Sequence, residues 1–328
     1  MVLLLDNSRS IASPALAPDQ DMFIGGTPGE LTIGLVNNMP DGALKATERQ
    51  FMRLLSGAAR NVRIRFHCFA LPSVARSPTA QAHIDKQYSD ITALDRLNID
   101  ALIVTGAEPN AASLSQEPFW RDLAGLIDWA RTHTRSTIWS CLAAHGAVLH
   151  LDGIERKRLG AKCTGVFSCA RVQDDELTRG LRSPLKISHS RLNEVREGDL
   201  ASRGYQVLTR SDRAGVDIFA KQYQSRFVFF QGHPEYDALS LQREYMRDLA
   251  RFLTGEREEY PAMPASYFDA ATEASLTNFE KRAKARREPT LAAELPGLTL
   301  RSDIAAGIAA GVIFKNWLGF LAKPAESE

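Results

Sequence analysis

At 328 residues the chain can hold one large domain or two small ones, with ample length for a buried core. Its 44% hydrophobic and 24% charged content is ordinary for a soluble globular protein. A formal net charge of +1 gives no electrostatic drive towards nucleic acid or an anionic membrane, and no long uncharged apolar run could span a bilayer.

Met1–Leu5 is apolar, but Asp6 interrupts it before it could serve as a signal-peptide core. Residues 1–30 scatter Pro, Gly and Asp without a sustained period and read as an extension or edge addition. Regular alternation begins at Leu31-Thr32-Ile33-Gly34-Leu35-Val36, a strand, followed by a helix over 45–55 with Phe51, Leu54 and Leu55 on one face. Residues 62–69 alternate apolar and polar side chains, as a strand near a sheet edge does. A polar stretch over 72–90 leads to the short central strand Ala101-Leu102-Ile103-Val104, which ends in Thr105-Gly106. A helix over 118–131 follows, then the buried strand Ser136-Thr137-Ile138-Trp139-Ser140 and a helix over 142–149.

The section 154–225 is less regular, with short strands at 205–208 and 216–220. The apolar strand Phe227-Val228-Phe229-Phe230 precedes a helix over 238–253, whose Leu241, Tyr245, Leu249 and Phe252 form an apolar stripe. Beyond Gly255 the chain turns Pro-rich, then charged and helix-prone through 281–287. It ends in an apolar helix over 304–321 that needs a packing surface, on the core or on a subunit partner. The order predicts an α/β fold, a doubly wound parallel sheet with helices on both faces, flavodoxin-like in its winding. The expected division is an N-terminal extension (1–30), a catalytic core (31–255) and a C-terminal helical segment (256–328).

Two strand ends bear chemistry. Gln231-Gly232-His233-Pro234-Glu235 follows one buried strand, and Cys141 stands where another turns into a helix. The carboxyl ends of parallel strands open onto the crevice where such folds bind ligands. A helix N-terminus and a neighbouring imidazole favour a thiolate, so Cys141 is the candidate nucleophile and His233 its base. Glu235 would fix the imidazole tautomer, and the Leu142 N–H, with one from a neighbouring loop, would hold the oxyanion. Alone, a lone Cys or His is usually structural; two such motifs at strand ends of one sheet favour catalysis.

The other cysteines, Cys68, Cys163 and Cys169, form no CxxC pair and no metal-ligand spacing with His, so no metal is expected. Cys163 and Cys169 are expected to flank a turn at Gly165. Free thiols fit a reducing cytoplasm.

The Cys141 and His233-Pro234-Glu235 placement resembles the class I glutamine amidotransferase superfamily. Within it, ordered segments resemble the homoserine O-acyltransferase family, of the homoserine O-succinyltransferase type. These are Val36-Asn37-Asn38-Met39-Pro40, Thr47-Glu48-Arg49-Gln50-Phe51, Val104-Thr105-Gly106-Ala107, Phe119-Trp120 and Trp139-Ser140-Cys141. They continue with Lys162-Cys163-Thr164-Gly165-Val166, His189-Ser190-Arg191, Gly232-His233-Pro234-Glu235-Tyr236-Asp237, Arg247-Asp248 and Asn316-Trp317-Leu318. Each is weak alone; the ordered set covers nearly the whole chain.

The resemblance implies acyl transfer from succinyl-CoA or acetyl-CoA, as co-substrate, to L-homoserine through a Cys141 thioester, in methionine biosynthesis. It implies no permanently bound cofactor, no nucleic-acid partner and a homodimer. Family substrate-binding positions map onto Lys162, Ser190 and Arg247. Arg243, Arg247 and Arg251 could instead be a plain solvated helix face. A position after Thr-Gly-Ala that sorts succinyl from acetyl maps onto Asn110, whose neutral side chain would not repel a succinyl carboxylate. Glu108, close by, would do so from a shifted loop. Asp41-Gly42-Ala43-Leu44 looks inserted relative to the family, so Lys45 receives no catalytic role. Competing readings are a glutamine amidotransferase-like hydrolase, transfer to L-serine, and a non-catalytic binding relative. The bulky Trp139-Ser140-Cys141-Leu142-Ala143 lacks the glycines that usually flank an amidotransferase nucleophile.

Overall fold

The computed structural model describes residues 22–24, 30–59, 62–181, 184–305 and 310–323. The strands are β1 (Met22–Ile24), β2 (Glu30–Val36), β3 (Arg63–Phe69), β4 (Ala101–Val104), β5 (Ser136–Ser140), β6 (Lys157–Arg171), β7 (Leu185–Glu194), β8 (Gln206–Ser211), β9 (Gly215–Gln222) and β10 (Arg226–Phe230). Among the described residues they form one ten-stranded sheet in the order β1-β3-β2-β4-β5-β10-β9-β8-β6-β7. The run β3-β2-β4-β5-β10 is parallel throughout. From β10 onward the pairing is antiparallel, as it is between β1 and β3 at the other edge.

The helices are α1 (Asp41–Ala58), α2 (Pro78–Gln87), α3 (Trp120–His133), α4 (Leu142–Asp152), α5 (Glu197–Ala201), α6 (Ser240–Leu253), α7 (Ala270–Ala285), α8 (Ser302–Ala305) and α9 (Ala310–Leu321). Central strands are apolar on both sides because helices cover both faces. Leu102, Val104, Trp139, Phe227 and Phe229 face Leu123, Ile127, Ala143 and Ala147 of α3 and α4. Ile103, Ile138, Val228 and Phe230 face the other way, onto Phe51 and Leu55 of α1 and Phe314 and Trp317 of α9. The chain is therefore wound on both sides of a mixed sheet with a parallel centre, the architecture the βα alternation predicts.

Several elements depart from the sequence expectations. The segment 163–169 is continuous strand inside β6, paired with β7, so Gly165 makes no turn. At Gly165, φ is 141° and a Cβ would come 2.3 Å from the Ala265 carbonyl oxygen. The glycine admits a crossing chain: Ala265 N–H donates to Thr164 O at 2.9 Å, and Val166 N–H to Ala265 O at 3.0 Å. Helix α1 begins at Asp41, so the inserted-looking residues are its first turn. Asp41 accepts from Ser77 N–H at 2.9 Å and pairs with Arg76 at 3.4 Å, while Lys45 is exposed. The polar stretch after Pro72 contains α2, capped by Ser77 with Pro78 at its first position. Past Gly255 the helix is α7, earlier than the charged run suggests; Asp269 caps it through Thr272 N–H at 2.7 Å.

Of residues 1–30, only Met22–Ile24, an antiparallel edge strand, and Glu30 are described; the apolar start and the rest of the extension reading lie outside the described residues. The apolar C-terminal helix is described as α8 and α9, with residues 306–309 between them outside the described residues. Helix α9 lies on the core: the Phe314 and Phe51 rings are 6.3 Å apart, and Trp317 Nε1–H donates to Ser136 Oγ at 3.0 Å. No described helix is long and apolar enough to cross a membrane.

Candidate active site

Strands β2, β4, β5 and β10 deliver their carboxyl ends to one crevice, through Met39, Gly106, Cys141 and His233. The crevice is a cavity of about 540 Å³, within the range of small-molecule sites. Cys141 occupies the turn between β5 and α4 with φ 53° and ψ −112°. A non-glycine residue there is strained, and the turn sets the side chain at the N-terminus of an eleven-residue helix. The strain is held by Cys141 N–H donating to Phe230 O at 2.7 Å, which ties β5 to β10.

No side chain caps α4, so its first backbone N–H groups lack helical acceptors. Gly106 lies against this end. A Cβ on it would come 2.4 Å from Leu142 Cβ and 3.0 Å from Leu142 N. Only glycine lets the loop after β4 approach the Leu142 N–H, the expected oxyanion donor.

His233 and Glu235 are buried, at 4% and 5% exposure. His233 N–H donates to Ser188 O at 2.7 Å, which anchors the loop to β7. His233 Nδ1 is 2.9 Å from Glu235 Oε1, which leaves Nε2 for the nucleophile. Burial opposes charge on His233, but the Cys141 sulfur and the Glu235 carboxylate outweigh it and hold the imidazole pKa well above its usual value. Tyr236 stacks on the His233 ring with centroids 4.2 Å apart. Burial pushes up the thiol pKa of Cys68, Cys163 and Cys169, which keeps those three protonated.

Across the cavity stand Lys162 of β6, Ser190 of β7 and Arg247 of α6. Lys162 Nζ is 3.2 Å from Asp248 Oδ2 and 3.7 Å from Glu244 Oε2. Arg247 donates twice to Asp248 Oδ1, at 2.9 and 2.8 Å, with its side chain 48% exposed. Ser190 Oγ–H and Tyr236 O–H both donate to Glu244. Arg243, Arg247 and Arg251 are all exposed and pair with Asp237, Asp248 and Glu108 respectively, and of the three only Arg247 lines the cavity. Lys162 and Arg247 hold the Asp248 carboxyl below its ordinary pKa of 3.8 against the opposing effect of burial.

Of the two expected acyl-sorting residues, Glu108 lines this cavity and lies 4.0 Å from Arg251, while Asn110 is exposed over a neighbouring cleft. Ala111 and Ala112 line the Cys141 cavity. Glu117 Oε1 fixes the loop by accepting the N–H of Asn110 at 2.7 Å and of Ala111 at 2.6 Å.

Sequence reasoning gave no role to Glu244, Asp248, Tyr236 or His145. Glu244, Arg247, Asp248 and Arg251 follow helical i, i+3, i+4, i+7 spacing, a legible signal that one face of α6 is charged with both signs. His145, one turn after Cys141, lines the cavity and is pushed down to about 4 by burial, hence neutral. Gln231 Oε1 already accepts the Val195 N–H at 2.8 Å, and its Nε2 donates to Val195 O and Val216 O. With that amide fixed, His145 Nε2 is the donor in its 3.0 Å contact with Gln231 Oε1, and Nδ1 stays an acceptor.

One buried group has the side chains of a metal site: Cys169, His189 and Asp217, with ligand atoms within 4.8 Å of one another. His189 Nε2 and Asp217 Oδ1 face each other at 3.4 Å. Burial pushes the Cys169 thiol up, raises Asp217 to about 6 and pushes His189 well down, so the thiol and the imidazole favour their neutral forms.

The sequence profile of the homoserine O-succinyltransferase family matches residues 28–325. The chain belongs to that family. A homoserine O-succinyltransferase of Bradyrhizobium japonicum is 65% identical over 323 residues, covering 98% of this chain and 99% of that one. One from Rhodopseudomonas palustris is 57% identical over 330 residues, covering 98% and 99%. Among solved structures, a glutamine amidotransferase from Methylobacillus flagellatus is 15% identical with a TM-score of 0.48, covering 91% of this chain and 98% of that chain. The homoserine O-succinyltransferase match takes in every cavity residue named above.

Proposed function

We propose that the protein transfers a succinyl group from succinyl-CoA to the hydroxyl of L-homoserine, a step of methionine biosynthesis, through a thioester on Cys141. The reading rests above all on the strained elbow that holds Cys141 against His233, with Glu235 on the far ring nitrogen. The homoserine O-succinyltransferase activity for which the two relatives are named supports the choice of donor and acceptor.

The Cys141 thiolate attacks the thioester carbon of succinyl-CoA. The new carbon–sulfur bond forms, the bond to CoA sulfur breaks, and His233 gives its proton to the departing thiolate. Backbone N–H groups at the start of α4 hold the oxyanion in both half-reactions. Acylation removes the negative sulfur that had kept His233 protonated, so burial draws the imidazole pKa back down. The same ring is thereby converted from acid to base. It takes the homoserine hydroxyl proton as that oxygen attacks the thioester, and the Cys141 thiolate leaves.

A free amino acid is a zwitterion, and the wall of Lys162, Arg247, Glu244 and Asp248 offers both signs within one side-chain reach. Lys162 and Arg247 receive the substrate carboxylate, and Glu244 with Ser190 receives the ammonium end.

The test is to incubate the protein with succinyl-CoA or acetyl-CoA, with and without L-homoserine or L-serine. Free CoA thiol and the mass of the Cys141 peptide are followed. A succinyl adduct on Cys141 discharged by homoserine supports the reading. Glutamine hydrolysis without acylation by either CoA ester refutes it.

A further inference from the structure

Five cations line the cavity: Arg156, Arg158, Lys162, Arg191 and Arg247. Lys162 and Arg247 pair with Asp248 and are given above to the homoserine carboxylate, and Arg191 donates to Asn193 O at 2.8 Å and to Ala214 O. Arg158 is exposed. Arg156 is partly buried, and it makes no hydrogen bond or ion pair among the described residues; its Nη1 is sealed from solvent without a partner. Burial lowers its pKa and the Arg158 charge adds to that, while the charges of Glu117, Glu155 and Cys141 oppose it; Arg156 and Cys141 line the same cavity. An arginine stays charged in such a setting, and its sealed Nη1 is a donor left without a partner among the described residues.

We propose that Arg156 receives the terminal carboxylate of the acyl group as it sits on CoA and then on Cys141, and so selects a dicarboxylic acyl donor. This deepens the succinyl-transfer reading and rests on it. A succinyl carboxylate lies three carbon–carbon bonds from the thioester carbon, within the same cavity as the sulfur. The phosphates of CoA are kept far from this point by the pantetheine arm, so they do not compete for Arg156. With Nη1 sealed, the edge left for a carboxylate is Nε and Nη2, a planar fork that can donate two parallel hydrogen bonds.

The Glu117 charge favours the Arg156 guanidinium without a direct pair. Glu117 is 4% exposed, its Oε1 is engaged by two loop N–H groups, and no ion pair with Arg156 forms among the described residues. The arriving carboxylate completes a pair that the free protein leaves open. An acetyl or butyryl group leaves Arg156 unpaired and gains nothing from it.

The experiment measures Cys141 acylation by succinyl-CoA and by butyryl-CoA, its uncharged four-carbon counterpart, in the wild type, Arg156→Gln and Arg156→Lys. Intact-protein mass and CoA release give the rates, and a thermal melt checks folding. For Arg156→Gln, kcat/KM with succinyl-CoA is expected to fall roughly 10- to 150-fold. The butyryl-CoA rate should stay within about threefold of wild type. Arg156→Lys keeps the charge but loses the fork, and should retain more of the succinyl rate than the Gln variant. Equal loss on both donors, or no loss on succinyl-CoA, overturns the assignment. A wild-type protein that succinyl-CoA does not acylate overturns the underlying function instead, so the two failures are distinguishable.

Discussion

Replacing Glu235 by Gln removes one charge and little volume. In the native site Glu235 Oε1 is 2.9 Å from His233 Nδ1, and its Oε2 is buried without a partner. A hydrogen bond to a charged group is worth about 1.5–3 kcal/mol, which converts to roughly 10- to 150-fold in rate if it is realised in the transition state. The amide can also turn its NH₂ towards His233 and impose the wrong tautomer; in a Ser-His-Asp enzyme that change costs about 10⁴-fold. Acylation of Cys141 should therefore slow by roughly 10-fold at least and 10⁴-fold at most. The pH profile should move as well. Glu235 helps hold the His233 pKa above its usual value, so its loss lets the imidazolium deprotonate at lower pH. The alkaline limb of CoA release, which needs that proton, shifts to lower pH. Stability should fall with activity, because the buried imidazolium loses its carboxylate partner; the melting temperature is expected to drop. Rapid-quench CoA release across pH, paired with a thermal melt, measures all three. A variant acylated within about threefold of wild type, with an unmoved limb, refutes the role given to Glu235.

Gly106→Ala puts a Cβ 2.4 Å from Leu142 Cβ, so the loop and the start of α4 must part. We expect a loss in kcat of roughly 10²–10³-fold, as for removal of an oxyanion donor, with small change in donor binding; a loss confined to KM would show that the contact only shapes the cavity. Asp217, pushed up to about 6 from 3.8 by burial, favours its neutral form in the fold. Its stabilisation is present below 3.8 and lost as pH rises through 6, at a cost on the order of 3 kcal/mol above that. Asp217→Asn should therefore gain stability relative to wild type as pH is raised from 4 to 8 in chemical melts; a constant offset across pH would contradict this.

The sequence alone determined the parallel centre and the position of its chemistry. Short apolar runs bounded by Thr105-Gly106, Cys141 and Gln231-Gly232-His233 are local signals, and parallel strands necessarily bring such ends to one crevice. Cys141 falls directly between strand and helix in the sequence, and the fold holds it there in a strained turn. Tertiary structure decided everything that depends on distant partners. Lys162 meets Asp248 across 86 positions and Ser190 meets Glu244 across 54, because the long β6–β7 hairpin, read locally as irregular, lies over α6. Loop direction placed Ala111 and not Asn110 on the lining of the Cys141 cavity, with the buried Glu117 holding both N–H groups. The lack of a partner for Arg156 is likewise invisible in sequence. Periodicity reports which face of an element is apolar, whereas the pairing of a charge depends on which elements the fold sets opposite it.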